Sequence, residues 1–363
     1  MLNRIVLEDM SNILSSLDNK EKLRGSKVLI TGCAGFLGLY FLTFFSQFTE
    51  LLGIRQIVCI DNFLLGKPQW FDKIINKIGS KLKLITFDIA KDKFNELLEI
   101  ADADFIIHMA SVASPTFYRK FPLETVDANV WGLRQLLEYY KGRPIKGFLY
   151  FSSSEIYGDP SEQHVPIEED YRGNVSCIGP RACYDEAKRF SETLCYLYAK
   201  LYNMPITIVR PFNNYGPGMK LDDKRVPSDF ANAIMNDNDI VLYSDGSPTR
   251  TFCYISDALT GYLKALLYGK FDYFNIGIDK PEISVRAMAD IYVEKGKLLT
   301  RYSGTIRYEK HPDTDYLTHN PIRRCPQIEK AKRLLNYVPQ VEVREGVGRF
   351  LEYLITEREY TIV

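Results

Sequence analysis

The sequence predicts an α/β protein, a doubly wound parallel sheet with a smaller C-terminal α/β lobe. Three observations predict it. A glycine-rich turn, KVLITGCAGFLG (Lys27 to Gly38), joins an apolar strand to an apolar helix. An acidic residue, Asp61, ends the next apolar strand, and strand and helix signals then alternate as far as Pro211.

At the turn, Val28, Leu29 and Ile30 read as a buried strand. Gly32, Gly35 and Gly38 follow at GxxGxxG spacing, and Phe36 to Phe48 continues as a helix. Such a turn points unpaired N–H groups and the positive end of a helix dipole into a crevice, and glycines let a pyrophosphate come close. Asp61, after the strand Gln56 to Ile60, stands about twenty residues further on, where a ribose-diol acceptor belongs. Together they predict a Rossmann-type dinucleotide site. A carboxylate there favours the diol and repels a 2′-phosphate, which selects NAD over NADP.

Residues 1–24 precede this fold. Ile5, Leu7, Met10, Ile13, Leu14 and Leu17 recur at near-helical spacing, predicting one amphipathic helix that packs on the sheet or on a partner subunit, or serves regulation. Further strands are expected at Leu82 to Phe87, Phe105 to His108, Gly147 to Ser152 and Thr207 to Arg210. Helices are expected at Pro68 to Ile78, Thr125 to Tyr140 and Asp185 to Tyr202. The nucleotide domain is therefore assigned to residues 25–210. After Pro211 the elements shorten and Asn, Asp, Pro and Gly become frequent, so 211–363 is assigned mainly to a substrate lobe. Residues 255–270, with the helix Asp257 to Tyr268, are expected to return to the nucleotide domain.

Composition narrows the class. Of 363 residues 46% are hydrophobic and 25% charged, enough for a sizeable core. Lysine plus arginine equals aspartate plus glutamate at 46 each, so nothing favours nucleic acid or an acidic membrane surface. Seven cysteines without CxxC or Cys/His spacing argue against a disulfide framework and a metal site, and for a reducing compartment. The first residues carry no signal-peptide core and the longest apolar run, Phe36 to Phe45, is too short to span a bilayer, so a cytoplasmic protein is expected.

Tyr184 and Lys188 lie four apart in CYDEAKRF, hence on one face of a helix. The expectation is that the ammonium and a positively charged nicotinamide draw the phenol's pKa down from about 10. That would make a base able to take a proton from a sugar hydroxyl while hydride leaves the same carbon. Ser153 and Glu155 follow the strand Phe148 to Phe151, at the carboxyl end of a parallel sheet where ligands bind. Ser153 can hydrogen-bond the reacting hydroxyl or cap a helix. Glu155 supplies a nearby carboxylate or is a solvated loop acid.

These residues, with HMASVASPTFY (108–118), SSSEIYGDP (152–160), IGPRACYDEAKR (178–189), RPFNNYGPGM (210–219) and SPTRTFCYISD (247–257), resemble the extended short-chain dehydrogenase/reductases. That is the family of nucleotide-sugar epimerases, dehydratases and decarboxylases, and the likeness covers roughly residues 26–350. Within it the chain is most similar to the UDP-glucuronate decarboxylases, chiefly through the GPRACYDE run. The resemblance implies that Gly32, Gly35, Phe36, Leu37 and Gly38 cradle the NAD pyrophosphate. Asp61 and Asn62 would hold the adenosine ribose, Asp88 and Ile89 flank the adenine, and Ala110 and Ser111 line the cofactor. Tyr184 and Lys188 would grip the nicotinamide ribose. Ser153, Glu155, Tyr184, Lys188 and Arg250 form the implied catalytic group, and Tyr118, Asn213, Arg225 and Arg250 the substrate side.

It further implies oxidation at carbon 4 of a UDP-linked glucuronate, loss of carbon dioxide from carbon 5, and reduction to UDP-xylose with NAD recycled. Arg250 or a water ordered by Glu155 would protonate carbon 5. A 4,6-dehydratase or a 4-epimerase acting on another nucleotide hexose stays open as an alternative, as does a nucleotide-binding protein without chemistry. A dehydratase wants an Asp-Glu pair, and this chain has Ser154-Glu155. The family also implies a homodimer built on the helices carrying Leu133, Leu136 and Leu137 and Leu194, Leu197 and Leu201. The chain departs from the decarboxylases at Val112, where they carry proline, by two extra residues between Glu155 and Tyr184, and by a longer His311 to Arg324 segment. Those departures bear on the sugar and not on the cofactor.

Overall fold

A computed structural model describes residues 3–311 and 320–362. Residues 312–319, within the segment expected to be long on the sugar side, lie outside the described residues. The chain opens with helix α1 (Arg4–Ser16), capped by the Asn3 side chain, which accepts from the Ile5 amide. Val6, Met10 and Ile13 are buried along it, while Leu7 is exposed, so the buried stripe is rotated slightly from the predicted one.

The glycine turn lies between β1 (Lys27–Thr31) and α2 (Phe36–Phe48). Then come β2 (Gln56–Asp61), α3 (Gln69–Ile78), β3 (Leu82–Thr86) and β4 (Phe105–His108), followed by two short helices, α4 (Pro115–Lys120) and α5 (Pro122–Val126). A π-helical turn at Asp127–Gly132 runs into α6 (Leu133–Tyr140), so the predicted helix from Thr125 is one interrupted rod. After β5 (Gly147–Phe151), α7 (Ala182–Tyr202) and β6 (Ile206–Pro211), the chain makes β7 (Asn214–Tyr215), α8 (Val226–Met235), β8 (Ile240–Leu242), β9 (Thr249–Arg250) and β10 (Cys253–Tyr254). The remainder is α9 (Ile255–Tyr268), β11 (Asp272–Ile276), β12 (Ile283–Ser284), α10 (Val285–Leu299), β13 (Ile306–Tyr308), β14 (Arg323–Arg324), α11 (Glu329–Leu335) and α12 (Val343–Ile362).

Seven strands form one sheet in the order β11-β6-β5-β4-β1-β2-β3, every neighbour parallel. It is the doubly wound, Rossmann-type sheet that the sequence predicts. Its inner strands are buried on both faces, as parallel strands covered by helices must be. Helix α2 is buried over the whole of Gly38 to Phe45 because the sheet, α1, α3 and α9 surround it, which suits a helix apolar on all sides. α9 returns to the sheet and packs against β5 and β6, and it feeds the edge strand β11, which the sequence reading did not mark. The strand order reverses between β1 and β4, so the two strand ends diverge and leave a crevice there.

Asp9, buried in α1, binds this frame together. It accepts from Tyr40 Oη (2.6 Å) on α2, Tyr254 Oη (3.0 Å) on β10 and Arg349 (2.7 Å) on α12. Four charged or phenolic groups removed from water thus satisfy one another.

Candidate active site

One cavity of about 1490 Å³ runs over the carboxyl ends of β1, β2, β4 and β5 and on toward α8 and β9. That exceeds the roughly 300–1,000 Å³ of an ordinary small-ligand pocket. It is lined by Gly32, Gly35, Phe36, Leu37 and Gly38, by Asp61, Asn62, Asp88 and Ile89, and by Ala110 and Ser111. Tyr118, Ser153, Glu155, Tyr184, Lys188, Asn213, Arg225 and Arg250 line it too. Every site residue singled out in the sequence therefore reaches the same cavity.

The turn shows why glycine stands at each position. A Cβ on Gly32, whose φ is +70°, would lie 2.6 Å from the Ala110 backbone, and one on Gly38 would lie 2.0 Å from the Cys33 carbonyl oxygen. Gly35 has only the Gly32 carbonyl at 3.6 Å, so its missing side chain leaves room on the cavity side. Asp61 accepts from the Ala34 amide at 2.9 Å and the Phe63 amide at 2.8 Å, and burial raises its pKa. Its carboxylate thus braces the turn as well as facing the cavity. Asn62 bridges the Leu64 amide and Asp88. Lys67, the nearest cation in sequence, pairs with Asp72 at 2.6 Å. A carboxylate facing the cavity, two glycines with no room for side chains and an open helix start fit a dinucleotide such as NAD.

At the other end, α7 puts Tyr184 and Lys188 on one face. Tyr184 stacks on Tyr118, and the Ser153 hydroxyl lies close enough to favour its ionised form. Ser153 also caps the following 3₁₀ turn, accepting from the Glu155 amide at 3.2 Å, which is the capping role the sequence allowed it. Burial pushes Tyr184 up to about 12 against the neighbouring Ser153 hydroxyl, and the nicotinamide charge that the expectation also invokes would act against that burial. The Glu155 and Asp185 charges add to that rise, while Lys188 donates to the Phe151 carbonyl at 2.6 Å and is itself driven down to about 7 by burial.

Glu155 is no solvated loop acid. Its two oxygens pair with Arg181 and Arg324, and Arg250 lies close enough to add its charge. Burial alone would raise this carboxyl, but Arg181, Arg324 and Arg250 outweigh it and hold it at about 2. Arg250 donates to the carbonyls of Thr249 (2.7 Å), Ile322 (2.9 Å) and Pro321, and burial next to Arg324 lowers it to about 10. Arg225 forks onto Asp223 (3.0 and 2.5 Å), and Asn213 donates to the Thr251 carbonyl at 2.8 Å.

The sequence reading assigned no part to Arg181 or Arg324. Arg181 stands in the quoted GPRACYDE run, where its neighbours drew the attention. Arg324 is 169 residues from Glu155, and no local pattern links them. Among the described residues no cluster of His, Cys, Asp and Glu could hold a metal ion, and no helix is long and apolar enough to cross a membrane.

Comparison with known proteins agrees with this geometry. The profile of the NAD dependent epimerase/dehydratase family matches residues 28–277. UDP-glucuronic acid decarboxylase 1 of Arabidopsis thaliana is 35% identical over 326 residues, 90% of this chain and 69% of its own. The protein of that name from Xenopus tropicalis is 34% identical over 347 residues, 95% of this chain and 75% of its own. The crystal structure of UDP-glucuronic acid 4-epimerase from Bacillus cereus, in complex with UDP-glucuronic acid and NAD, superimposes with a TM-score of 0.76 at 26% identity. It covers 91% of this chain and 99% of that one.

Proposed function

The chain belongs to the NAD dependent epimerase/dehydratase family, and from that premise we propose that it decarboxylates UDP-glucuronate to UDP-xylose through a 4-keto intermediate. The observation that carries the reading is the guanidinium group of Arg181, Arg324 and Arg250 gathered about Glu155, beside a serine rather than a second acid. Such a concentration of positive charge suits a sugar that brings its own carboxylate. It also suits the enolate left when that carboxylate departs.

A bound NAD+ would supply a hydride acceptor for carbon 4 of the sugar and then the donor, so that the reaction has no net redox change. Gly32, Gly35 and Gly38 would take its pyrophosphate and Asp61 its adenosine ribose. Tyr184 removes the proton of the 4-hydroxyl, with Ser153 donating a hydrogen bond to the same oxygen. Lys188 holds the nicotinamide ribose. The 4-ketone turns the sugar acid into a β-keto acid, whose carbon dioxide leaves because the ketone accepts the electron pair. Arg250, lowered to about 10, would return a proton to carbon 5. Tyr118, Asn213 and Arg225 complete the substrate side. Positioning and charge stabilisation of this kind each supply several kcal/mol.

A 4,6-dehydratase must protonate a leaving 6-hydroxyl, and Ser154, buried beside Glu155, is far too weak an acid for that. A 4-epimerase is the second reading, favoured by the likeness to the Bacillus cereus structure. Incubation with UDP-glucuronate and NAD+ separates them. Release of carbon dioxide is expected; formation of a UDP-uronate epimer without it rejects the decarboxylase.

The homodimer belongs to the same proposal. Leu133, Leu136, Leu137 and Leu194 are buried, whereas Trp131, Phe190, Leu197 and Leu201 on the same helix layer are exposed, which supports a second copy packing there. A cytoplasmic location is supported by seven cysteines that are all free. The proposed division is a nucleotide domain of 25–210 joined by 255–270, a substrate lobe from 211, and the helical extension 1–24.

A further inference from the structure

Arg181 stands between two carboxylates. Its Nη2 donates to Glu155, and its Nε donates to Asp185 Oδ2 at 3.3 Å, one helical turn along α7. Asp185 is 6% exposed, and its Oδ1 is buried without a hydrogen-bond partner among the described residues. Glu155 meanwhile has both oxygens occupied, one by Arg181 and the other by Arg324, which is anchored in turn on the Gly158 carbonyl at 3.0 Å. In this arrangement the carboxylate beside the sugar site has no oxygen to spare, while the one behind it has a vacant one.

We propose that Asp185 is a positioning residue that competes with Glu155 for Arg181, and that when Asp185 takes the guanidinium it releases one Glu155 oxygen toward the sugar. The inference rests on the reading of the cavity as the site of UDP-glucuronate conversion. Asp185 itself does not line the cavity and acts only through Arg181.

The competition depends on charge. The groups facing Asp185 are Arg181 at the start of its own helix, Glu155 from the turn after β5, Arg324 from β14, Tyr118 from α4, and the adjacent Cys183 and Tyr184. Burial and the Glu155 charge raise the Asp185 carboxyl to about 7, against Arg181 and Arg324. Below neutrality Asp185 is therefore uncharged and Arg181 stays with Glu155. Above it, an ionised Asp185 draws Arg181 back, so turnover should rise as pH passes through about 7.

The test is kcat against pH for the NAD-loaded enzyme, read as consumption of UDP-glucuronate. The wild type is expected to rise through neutrality. Asp185→Asn, which copies the uncharged form at the same size, should stay on the low-pH plateau. Its kcat should be roughly five- to tenfold lower at alkaline pH with KM little changed, and Asp185→Glu should restore the rise. A merely structural role would lower kcat by the same factor at every pH. A rising profile in Asp185→Asn, or a uniform loss, overturns the proposal.

Should Asp185→Asn fail to fold, Arg181→Lys decides. A lysine lacks the fork that serves two acceptors, so the rise should flatten, and an unchanged rise overturns the proposal. Because consumption is read rather than carbon dioxide, an enzyme that epimerises UDP-glucuronate would sink the decarboxylase reading and leave this profile to be judged by itself. If the wild type consumes none, that reading fails, and the same profiles are run on the nucleotide sugar that it does convert.

Discussion

Tyr118 and Tyr184 lie ring on ring, their centroids 5.1 Å apart and their planes 12° from parallel. The Tyr118 hydroxyl is buried and has no hydrogen-bond partner among the described residues, so its polar atom contributes nothing to holding the stack. Tyr118→Phe is accordingly expected to keep the ring contact and to raise stability slightly, by up to about 1 kcal/mol, by removing an unsatisfied group. If that hydroxyl is kept for the sugar, KM should rise several-fold in the same variant. Thermal melts and steady-state kinetics on one preparation check both.

The glycine turn separates folding from binding. Gly38→Ala puts a methyl 2.0 Å from a backbone oxygen, a clash that α2 relieves only by moving; the expected cost is about 3 kcal/mol or more. Gly35→Ala meets nothing closer than 3.6 Å and should fold normally, yet the methyl occupies the side of the turn where a pyrophosphate would lie. Its dissociation constant for NAD+ should rise at least tenfold. Calorimetric titration and a melt distinguish the two effects.

Asp61 braces the turn and is the proposed ribose acceptor, so its variants should show both. Asp61→Ala removes the acceptor of two backbone amides, at Ala34 and Phe63, and the proposed acceptor of the ribose diol. Weaker NAD+ binding is expected, with a smaller preference over NADP+ because the repelling charge is gone. Titration with both dinucleotides reads the change, and unaltered affinity for NAD+ would show that another residue holds the ribose.

Glu155 and Asp185 should pull stability in opposite directions with pH. Glu155 titrates at about 2 in the folded chain, below its ordinary 4.5, so its contribution is complete above that value and is lost as pH falls through 2. Asp185 titrates at about 7, above its ordinary 3.8, so the folded state loses stability as pH rises from about 4 through 7. Asp185→Asn should therefore melt above the wild type at alkaline pH, by about 3 °C or more, with the gap closing toward pH 4. Melting curves across that range check the sign.

Much of the sheet and of the cofactor side was legible in the sequence, because both are written in local patterns. The run Val28 to Ile30, the three glycines and the apolar helix Phe36–Phe48 lie within a few turns of one another, and the structure places them within a residue of expectation. β11 was missed because DYFNI has neither clear alternation nor an unbroken apolar run; the parallel edge of β6 makes it a strand. The electrostatics were the least legible part. That burial would lower Lys188, seated on the Phe151 carbonyl, and raise Tyr184 depends on packing that no spacing reveals. Arg324 reaches Glu155 only because β14 pairs with β9, a tertiary fact.

The clasp at Asp9 bears on how the chain can be cut. The family match stops at residue 277 and starts at 28, yet the hydrogen bonds of Asp9 join a helix before that span to a helix after it and to Tyr40 and Tyr254 inside it. A fragment trimmed to the matched boundaries would strand two phenols in an apolar interior and bare the flank of α2. The span that the family profile matches is thus smaller than the span those hydrogen bonds tie together.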